Sequence, residues 1–424
     1  MPFSNQPQKG MQDDFPWDMA VHNRVMGTIA GLLRSFHYEE YDAPVLEPLE
    51  LFAAKSSEEL VREQAYVLRD RGDRELVLRP EMTPTLARMV SQISRERPRP
   101  YRWYSIPKCF RFERPQKGRL REFRQLNVDL MGDDSVHSDL EMFLLVKGLM
   151  ASFGLAEAGW RIRWNHRGAL NALLGHRGFS ADEQKAFYWL IDRVDKIAPE
   201  AFGATAAEKL PDAPKRAFLE TYLANEDVSV LLAWLREIPE TGELCGRLEA
   251  FQRLLGSVRL ERAVYSPRTV RGLDYYTGLV FEVYAEGESI HRALFGGGRY
   301  DKLLDLYSND PLSGIGFGMG IYIFSLFLEE AGKLPKVEAG DSVLVQPLGG
   351  EESAVFALQV AEALRAAGRV AEFSVYSGGV KKVFQKAEAR GFTQVALVGD
   401  DEVREKAYSL KNLKTGTQEK IPLG

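Results

Sequence analysis

The stretch CFRFERPQKGRLREFRQ (109–125) sets five arginines and one lysine against two glutamates, in a chain whose formal net charge is −5. Charge concentrated in this way either forms a solvated face or holds an anion. Arg111, Arg119 and Arg121 lie among Phe110, Phe112 and Phe123. Guanidinium forks bind phosphate oxygens bidentately, and a ring such as Phe123 can stack on a purine. Glu113 and Gln125 stand two residues from arginines, so strand alternation would put acceptors and donors on one face. A nucleoside triphosphate needs that mixture, because the base amine and its metal seek acceptors while the phosphates seek donors. The turn-rich RPQKGRL separates two strand-like segments, RWYSIPKCFRFE and EFRQLNVDLMG, and predicts a long hairpin over 101–132.

Other stretches carry weaker signals. VRGLDYY (270–276) reads as a strand, with Arg271 able to face a carboxylate or phosphate and Tyr275 and Tyr276 supplying hydroxyls. Tyrosine pairs in strands more commonly pack. FGGGRYDKL (295–303) follows neither P-loop nor dinucleotide spacing, so its glycines serve either ligand approach or tight strand packing. The six histidines make no HExxH and no close pair, and there is no GxSxG. Metal and Ser-His-Asp chemistry therefore have little support. Cys109 and Cys245 have no CxxC partner, which excludes a disulfide framework and fits a reducing compartment. Lys381, Lys382, Lys386 and Arg390 crowd SGGVKKVFQKAEARG (377–391), a solvated helix face by default and an RNA-contacting one as the alternative.

Elements must hold these residues in place. A chain of 424 residues, 45% hydrophobic and 27% charged, predicts two or three folded domains. Val21, Val25, Ile29, Leu32, Leu33 and Phe36 recur at helical spacing over 18–36. Pro44 makes YEEYDAPVLEP an edge or interface strand. ELVLRPEMTPTLARMV reads as strand, turn and helix. Residues 167–262 are helical in pattern and read as an inserted domain. Strand patterns return in TVRGLDYYTGLVFEVYAE and HRALFGGGRYDKLL. The uncharged run 311–328 contains a GxxxG (Gly316 to Gly320) but also a proline and four glycines, so it reads as a buried strand entering a helix, not a membrane span. After a charged linker (329–341), β and α patterns alternate, predicting a small α/β domain with a largely parallel sheet. No signal-peptide pattern is read at the start, and a cytoplasmic location without membrane partners is expected.

Taken in order, LRPEMT, FRFERPQKGRLREFRQ, VRGLDYY, GGGRYD, GFGMG and a terminal domain with GGVKK resemble the histidyl-tRNA synthetases, a class II aminoacyl-tRNA synthetase family. The resemblance runs from KGMQDDFP to NLKTGTQ. It implies an α+β catalytic domain (1–166 and 263–330) with an antiparallel sheet flanked by helices, a helical insertion (167–262) and a C-terminal α/β anticodon-binding domain (340–424). It also implies a homodimer, ATP with Mg2+, L-histidine and tRNA(His) as partners. By matching position, Arg111 and Arg271 would act at the α-phosphate. Glu113 would take the adenine amine, Arg119 the outer phosphates, and Phe123 would stack on adenine. Glu81 and Thr83 would receive the histidine α-amine, while Gln125, Asp129, Tyr275 and Tyr276 would read the imidazole. Lys381, Lys382 and Lys386 would contact tRNA. Two positions depart from the family. Asp129 stands where many members have glutamate, and GFGMGIYIFSL puts Ile323 where a third-motif arginine is usual. The resemblance also admits a second class of function, a non-catalytic histidine-sensing regulatory subunit of ATP phosphoribosyltransferase.

Overall fold

Alternating apolar residues in EFRQLNVDLM and GIGFGMG build the centre of a nine-stranded sheet. Its strands are β1 (Glu39–Glu40), β2 (Tyr101–Ser105), β3 (Lys108–Phe110), β4 (Glu122–Met131), β5 (Trp160–His166), β6 (Ala263–Tyr265), β7 (Leu279–Ala285), β8 (Ala293–Arg299) and β9 (Gly314–Gly320). They lie in the order β1-β2-β4-β9-β8-β7-β5-β6, with β3 also on β4. The outer pairs β1–β2 and β5–β6 are parallel and the rest antiparallel. The computed structural model describes all residues except 1–3, 54–59, 95, 272–274, 288–291, 303–304, 306–311, 337–339, 375, 377–378 and 424.

One face of the sheet is core. Leu126, Val128 and Leu130 of β4, Ile315, Phe317 and Met319 of β9, and Phe281 of β7 are buried with residues of the helices Pro16–Ser35, Val136–Ser152 and Gly242–Ser257. Phe143 meets Phe281 and Phe251 edge-on at 4.9 and 5.2 Å, contacts worth roughly 0.5–1.5 kcal/mol each beyond their buried area. Between β5 and β6 run six helices from Arg167 to Ser257. The Ser180–Glu183 capping box starts one of them and Asp212 caps another. Their Phe187, Leu190, Phe218, Leu231 and Leu248 join the same core as the sheet. The chain divides into two compact units, Met1–Pro335 and Lys336–Gly424. Among the described residues no helix is long and apolar enough to cross a membrane. The uncharged run supplies β9 and the helix Ile321–Glu330.

Three local expectations need correction. The hairpin strands stop at Phe110 and resume at Glu122. Pro115 and a left-handed Gly118 (φ +78°) break the ladder between them, so Arg111 and Glu113 are placed by an irregular loop and not by strand alternation. Of VRGLDYY, the described residues Val270, Arg271, Tyr275 and Tyr276 lie in no strand: Arg271 has φ +56°, β7 begins only at Leu279, and 272–274 lie outside the described residues. The C-terminal sheet is mixed. Val370–Phe373, Ser342–Pro347 and Gln394–Val398 run parallel, but Ala407–Asn412 and Gln418–Pro422 are antiparallel additions. Gly416 (φ +74°) and the Asn412 N–H to Thr417 carbonyl bond of 2.9 Å close that hairpin.

Candidate active site

The face of the sheet opposite the core is a glycine floor edged by polar rows. Gln125, Asn127 and Asp129 alternate along β4, and each stands opposite a glycine of β9: Gly320, Gly318 and Gly316. Gly318 and Gly316 in turn face Gly296 and Gly298 of β8. Gly296 then faces Glu282 of β7. A Cβ on Gly316 would stand 2.2 Å from Asp129 Oδ1, and one on Gly318 would stand 2.7 Å from Gln125 Nε2. On Gly296 it would meet the Phe281 carbonyl at 2.4 Å and Arg271 Nη1 at 3.1 Å. Close packing is the reading of the glycine run that these distances bear out. Gly296 and Gly298 open space for site residues, whereas Gly297, on the core face, allows close strand packing.

A cleft of about 240 Å3 above this floor is lined by Arg111, Glu113, Arg119, Phe123, Gln125, Arg271 and Arg292. Arg111 is fixed by an Nε bond of 2.9 Å to the Pro80 carbonyl, and its guanidinium lies 5.6 Å from the Phe123 ring centre. Arg119 pairs with Glu113. Arg271 reaches Glu282 at 3.2 Å, and Glu282 also accepts from the Tyr284 hydroxyl at 2.6 Å. The buried Nε of Arg271 has no hydrogen-bond partner among the described residues. A fixed guanidinium with an unused donor is suited to an anion. A groove of about 710 Å3 shares Arg119, Arg271 and Arg292 and extends to Ile191 and Asp192 of the helix Ala181–Arg193.

Glu81, Thr83, Tyr275, Tyr276 and Asp129 gather in a buried neighbourhood beside the cleft. The Tyr275 hydroxyl lies 3.3 Å from Glu81 and 3.4 Å from Thr83. Tyr275 and Tyr276 have ring centres 4.8 Å apart and pack with Tyr300 and Trp103. Gln125 donates to Asn127 at 2.7 Å. Burial pushes the Asp129 carboxyl up to about 7, although the Tyr300 hydroxyl donates to it. An acid raised in the folded state favours folding below its unfolded value near 4 and loses that contribution as pH rises through about 7. Asp129→Asn is therefore expected to flatten the decline in stability between about pH 4 and pH 7, a span on the order of 4 kcal/mol at most. Urea denaturation at both pH values checks this, and parallel pH slopes in the two proteins would contradict it.

Motifs alone assign no role to Tyr300, Asn127 or Arg292. Tyr300 sits within the quoted GGGRYD, and Asn127 is signalled by its alternation with Gln125 and Asp129. Arg292 has no local signal. In the C-terminal unit, Lys381 and Lys382 are exposed near the start of the helix Val380–Ala389. Lys386 lies 4.3 Å over the Tyr376 ring. His166 is buried, accepts from the Ala169 N–H and is pushed down to about 3 by burial and by Arg247 and Arg299. It is a helix cap. Among the described residues no His/Cys/Asp/Glu cluster is arranged to hold a metal.

Comparison with known proteins bears on what this site serves. The family model described as histidyl-tRNA synthetase matches residues 10–322, and one described as anticodon binding domain matches 342–424. The histidine–tRNA ligase of Leptospira biflexa is 36% identical, over 97% of this chain and 93% of the relative. That of Natronomonas pharaonis is 32% identical, over 98% and 95%. The solved histidyl-tRNA synthetase of Nostoc sp. PCC 7120 has a TM-score of 0.79 at 21% identity, over 99% of this chain and 97% of that one. A Bacillus halodurans structure described as an ATP phosphoribosyltransferase regulatory subunit/histidyl-tRNA synthetase has a TM-score of 0.74 at 23% identity, over 94% and 99%. Matched by that family model over residues 10–322 and by ligases 36% and 32% identical over nearly its whole length, the chain belongs to the histidyl-tRNA synthetase family.

Proposed function

We propose that this chain ligates L-histidine to tRNA(His) in two steps, the observation carrying the reading being the cleft that gathers Arg111, Arg119, Arg271 and Arg292 beside the Glu81–Tyr275–Asp129 neighbourhood. In the first step a histidine carboxylate oxygen attacks the α-phosphorus of ATP and pyrophosphate leaves, giving histidyl-adenylate. In the second a hydroxyl of the tRNA's terminal adenosine attacks the histidyl carbonyl carbon and AMP leaves. Arg111 and Arg271 hold negative charge at the α-phosphate from fixed positions. Glu113 accepts from the adenine amine, Phe123 stacks on the base, and Arg119 takes the outer phosphates. Glu81 and Thr83 receive the α-amine. Gln125, Asp129, Tyr275 and Tyr276 read the imidazole, and a pocket that reads a ring by buried hydrogen bonds can reject analogues by orders of magnitude. Mg2+ would come with the triphosphate and supply charge neutralisation there. The nearby carboxylates Glu113 and Glu282 are engaged by Arg119 and Arg271.

The domain assignment follows the same reading: 1–166 with 263–330 catalytic, 167–262 a helical insertion and 340–424 anticodon-binding. Lys381, Lys382 and Lys386 then face tRNA. Replacing Lys381 and Lys382 together by glutamate is expected to raise the KM for tRNA(His) in a charging assay while leaving histidine activation unchanged. An unaltered KM would remove those lysines from the interface. Exposed Leu46, Val67, Leu68 and Phe112 beside the small sheet of Leu46–Pro48, Glu75–Leu78 and Tyr66–Arg69 support a homodimer. A monomer in sedimentation equilibrium would contradict it. The cytoplasm is the compartment that fits this reading.

The regulatory-subunit alternative shares the fold, as the Bacillus halodurans structure illustrates. A histidine sensor has no need for a triphosphate grip, and the arginine cleft together with the anticodon-domain match favours the ligase. Purified protein, ATP, magnesium and labelled histidine should charge tRNA(His). Failure of a folded, histidine-binding protein to do so would favour the sensor.

A further inference from the structure

We propose that Arg292 binds the outer phosphates of ATP, supplying from β8's approach the cation that Ile323 does not supply from the third motif. The inference rests on the ATP site proposed above. Arg292 immediately precedes β8, and its Nη2 donates to the Lys117 carbonyl, at 2.8 Å, on the loop that carries Arg119. Gly118 lies between Arg292 and Ile323. A Cβ there would stand 2.2 Å from Arg292 Nη2 and 2.7 Å from Ile323 Cδ1. Glycine, already left-handed at this position (φ +78°), is what lets the guanidinium reach the loop. Both Arg292 and Ile323 line the cleft, but only Arg292 has donors to offer.

Two of the cleft's arginines are paired with carboxylates, Arg119 with Glu113 and Arg271 with Glu282, whereas Arg111 and Arg292 are each held by a backbone carbonyl. Among the described residues Arg292 has no carboxylate within ion-pair distance, and burial and the Arg119 charge both work against its protonated form, outweighing the favourable charge of Glu113. Holding a half-buried cation against another cation is costly, and an anion between them relieves that cost. Arg292 also faces the adjoining groove, so it stands at the open side of the cleft, where the outer phosphates of a nucleotide whose base lies on Phe123 would project.

The test compares ATP with AMP, which lacks the outer phosphates. Calorimetry on Arg292→Ala should show ATP affinity lowered roughly 10- to 100-fold, as for loss of a charge-assisted hydrogen bond, with AMP affinity unchanged. Arg292→Lys should retain part of the ATP affinity. Adding Ile323→Arg to Arg292→Ala should restore part of the ATP affinity and of the KM for ATP in histidine-dependent pyrophosphate exchange. Equal ATP affinity in wild type and Arg292→Ala would overturn the proposal. So would a parallel loss of ATP and AMP, which would mean that Arg292 only shapes the loop. If wild type performs no exchange yet the ATP–AMP difference depends on Arg292, the residue's role stands and the ligase reading falls.

Discussion

Arg271→Ala should lower the kcat of histidine-dependent ATP–pyrophosphate exchange by about 10²- to 10³-fold, the usual consequence of removing one fixed donor from developing charge. Three features fix this side chain before substrate arrives. Its backbone sits in the left-handed region at φ +56°, a conformation that costs a non-glycine residue on the order of 1 kcal/mol or more. Gly296 lacks the Cβ that would stand 3.1 Å from its Nη1, and Glu282 holds Nη1 at 3.2 Å. The buried Nε is left to face a ligand. Arg271→Gly makes a useful companion. It relaxes the backbone, so it should be at least as stable as Arg271→Ala to urea while equally inactive. Exchange within tenfold of wild type in the alanine variant would place the α-phosphate elsewhere.

The second large effect is structural. Gly297→Ala should destabilise the Met1–Pro335 unit by about 3 kcal/mol or more, at the upper end of what overpacking a well-filled core costs. The new Cβ would stand 1.9 Å from the Gly316 carbonyl oxygen and 2.6 Å from Phe317 Cα. Both are backbone atoms of the neighbouring strand in the middle of the sheet, so no rotamer change relieves the overlap. Gly246→Ala provides the contrast. It lies within the helix Gly242–Ser257 with nothing within 4 Å of its Cβ position, and should gain about 0.5–1 kcal/mol. Urea midpoints of both variants against wild type decide the matter. An unchanged midpoint for Gly297→Ala would mean that β8 and β9 are not packed as described.

What can be read from the residues, and what cannot, follows from how far the information travels along the chain. The density of arginine in 109–125 is a local property, and it leads directly to Arg111, Glu113, Arg119 and Phe123, which line one cleft. Helical spacing locates the helix that begins at Pro16, and the glycine content of 311–328 is enough to prefer a strand entering a helix over a membrane span. The face that each glycine opens depends on register. GIGFGMG shows glycine on every second position, but only the pairing with β4 sets Gly316 against Asp129. Arg292 and Tyr300 are illegible as site residues because their partners, Lys117 and Asp129, are 175 and 171 positions away. The strand reading of VRGLDYY fails at Arg271, whose left-handed backbone (φ +56°) leaves the extended region, and at Tyr275 and Tyr276, which pack in a buried cluster and not in a ladder. The largely parallel reading of the terminal sheet holds for its first three strands and fails for the last two, which close as a hairpin through NLKTGTQ.

The most direct measurement is ATP–pyrophosphate exchange by the purified chain with magnesium, run with histidine and with each of the other amino acids in turn. Exchange that requires histidine, with the Arg271→Ala protein near background, is the expected result and would establish activation in a chain that carries Ile323 at the third motif. A folded protein that binds histidine but exchanges no label under any condition would contradict the ligase reading and leave the same pocket as a sensor.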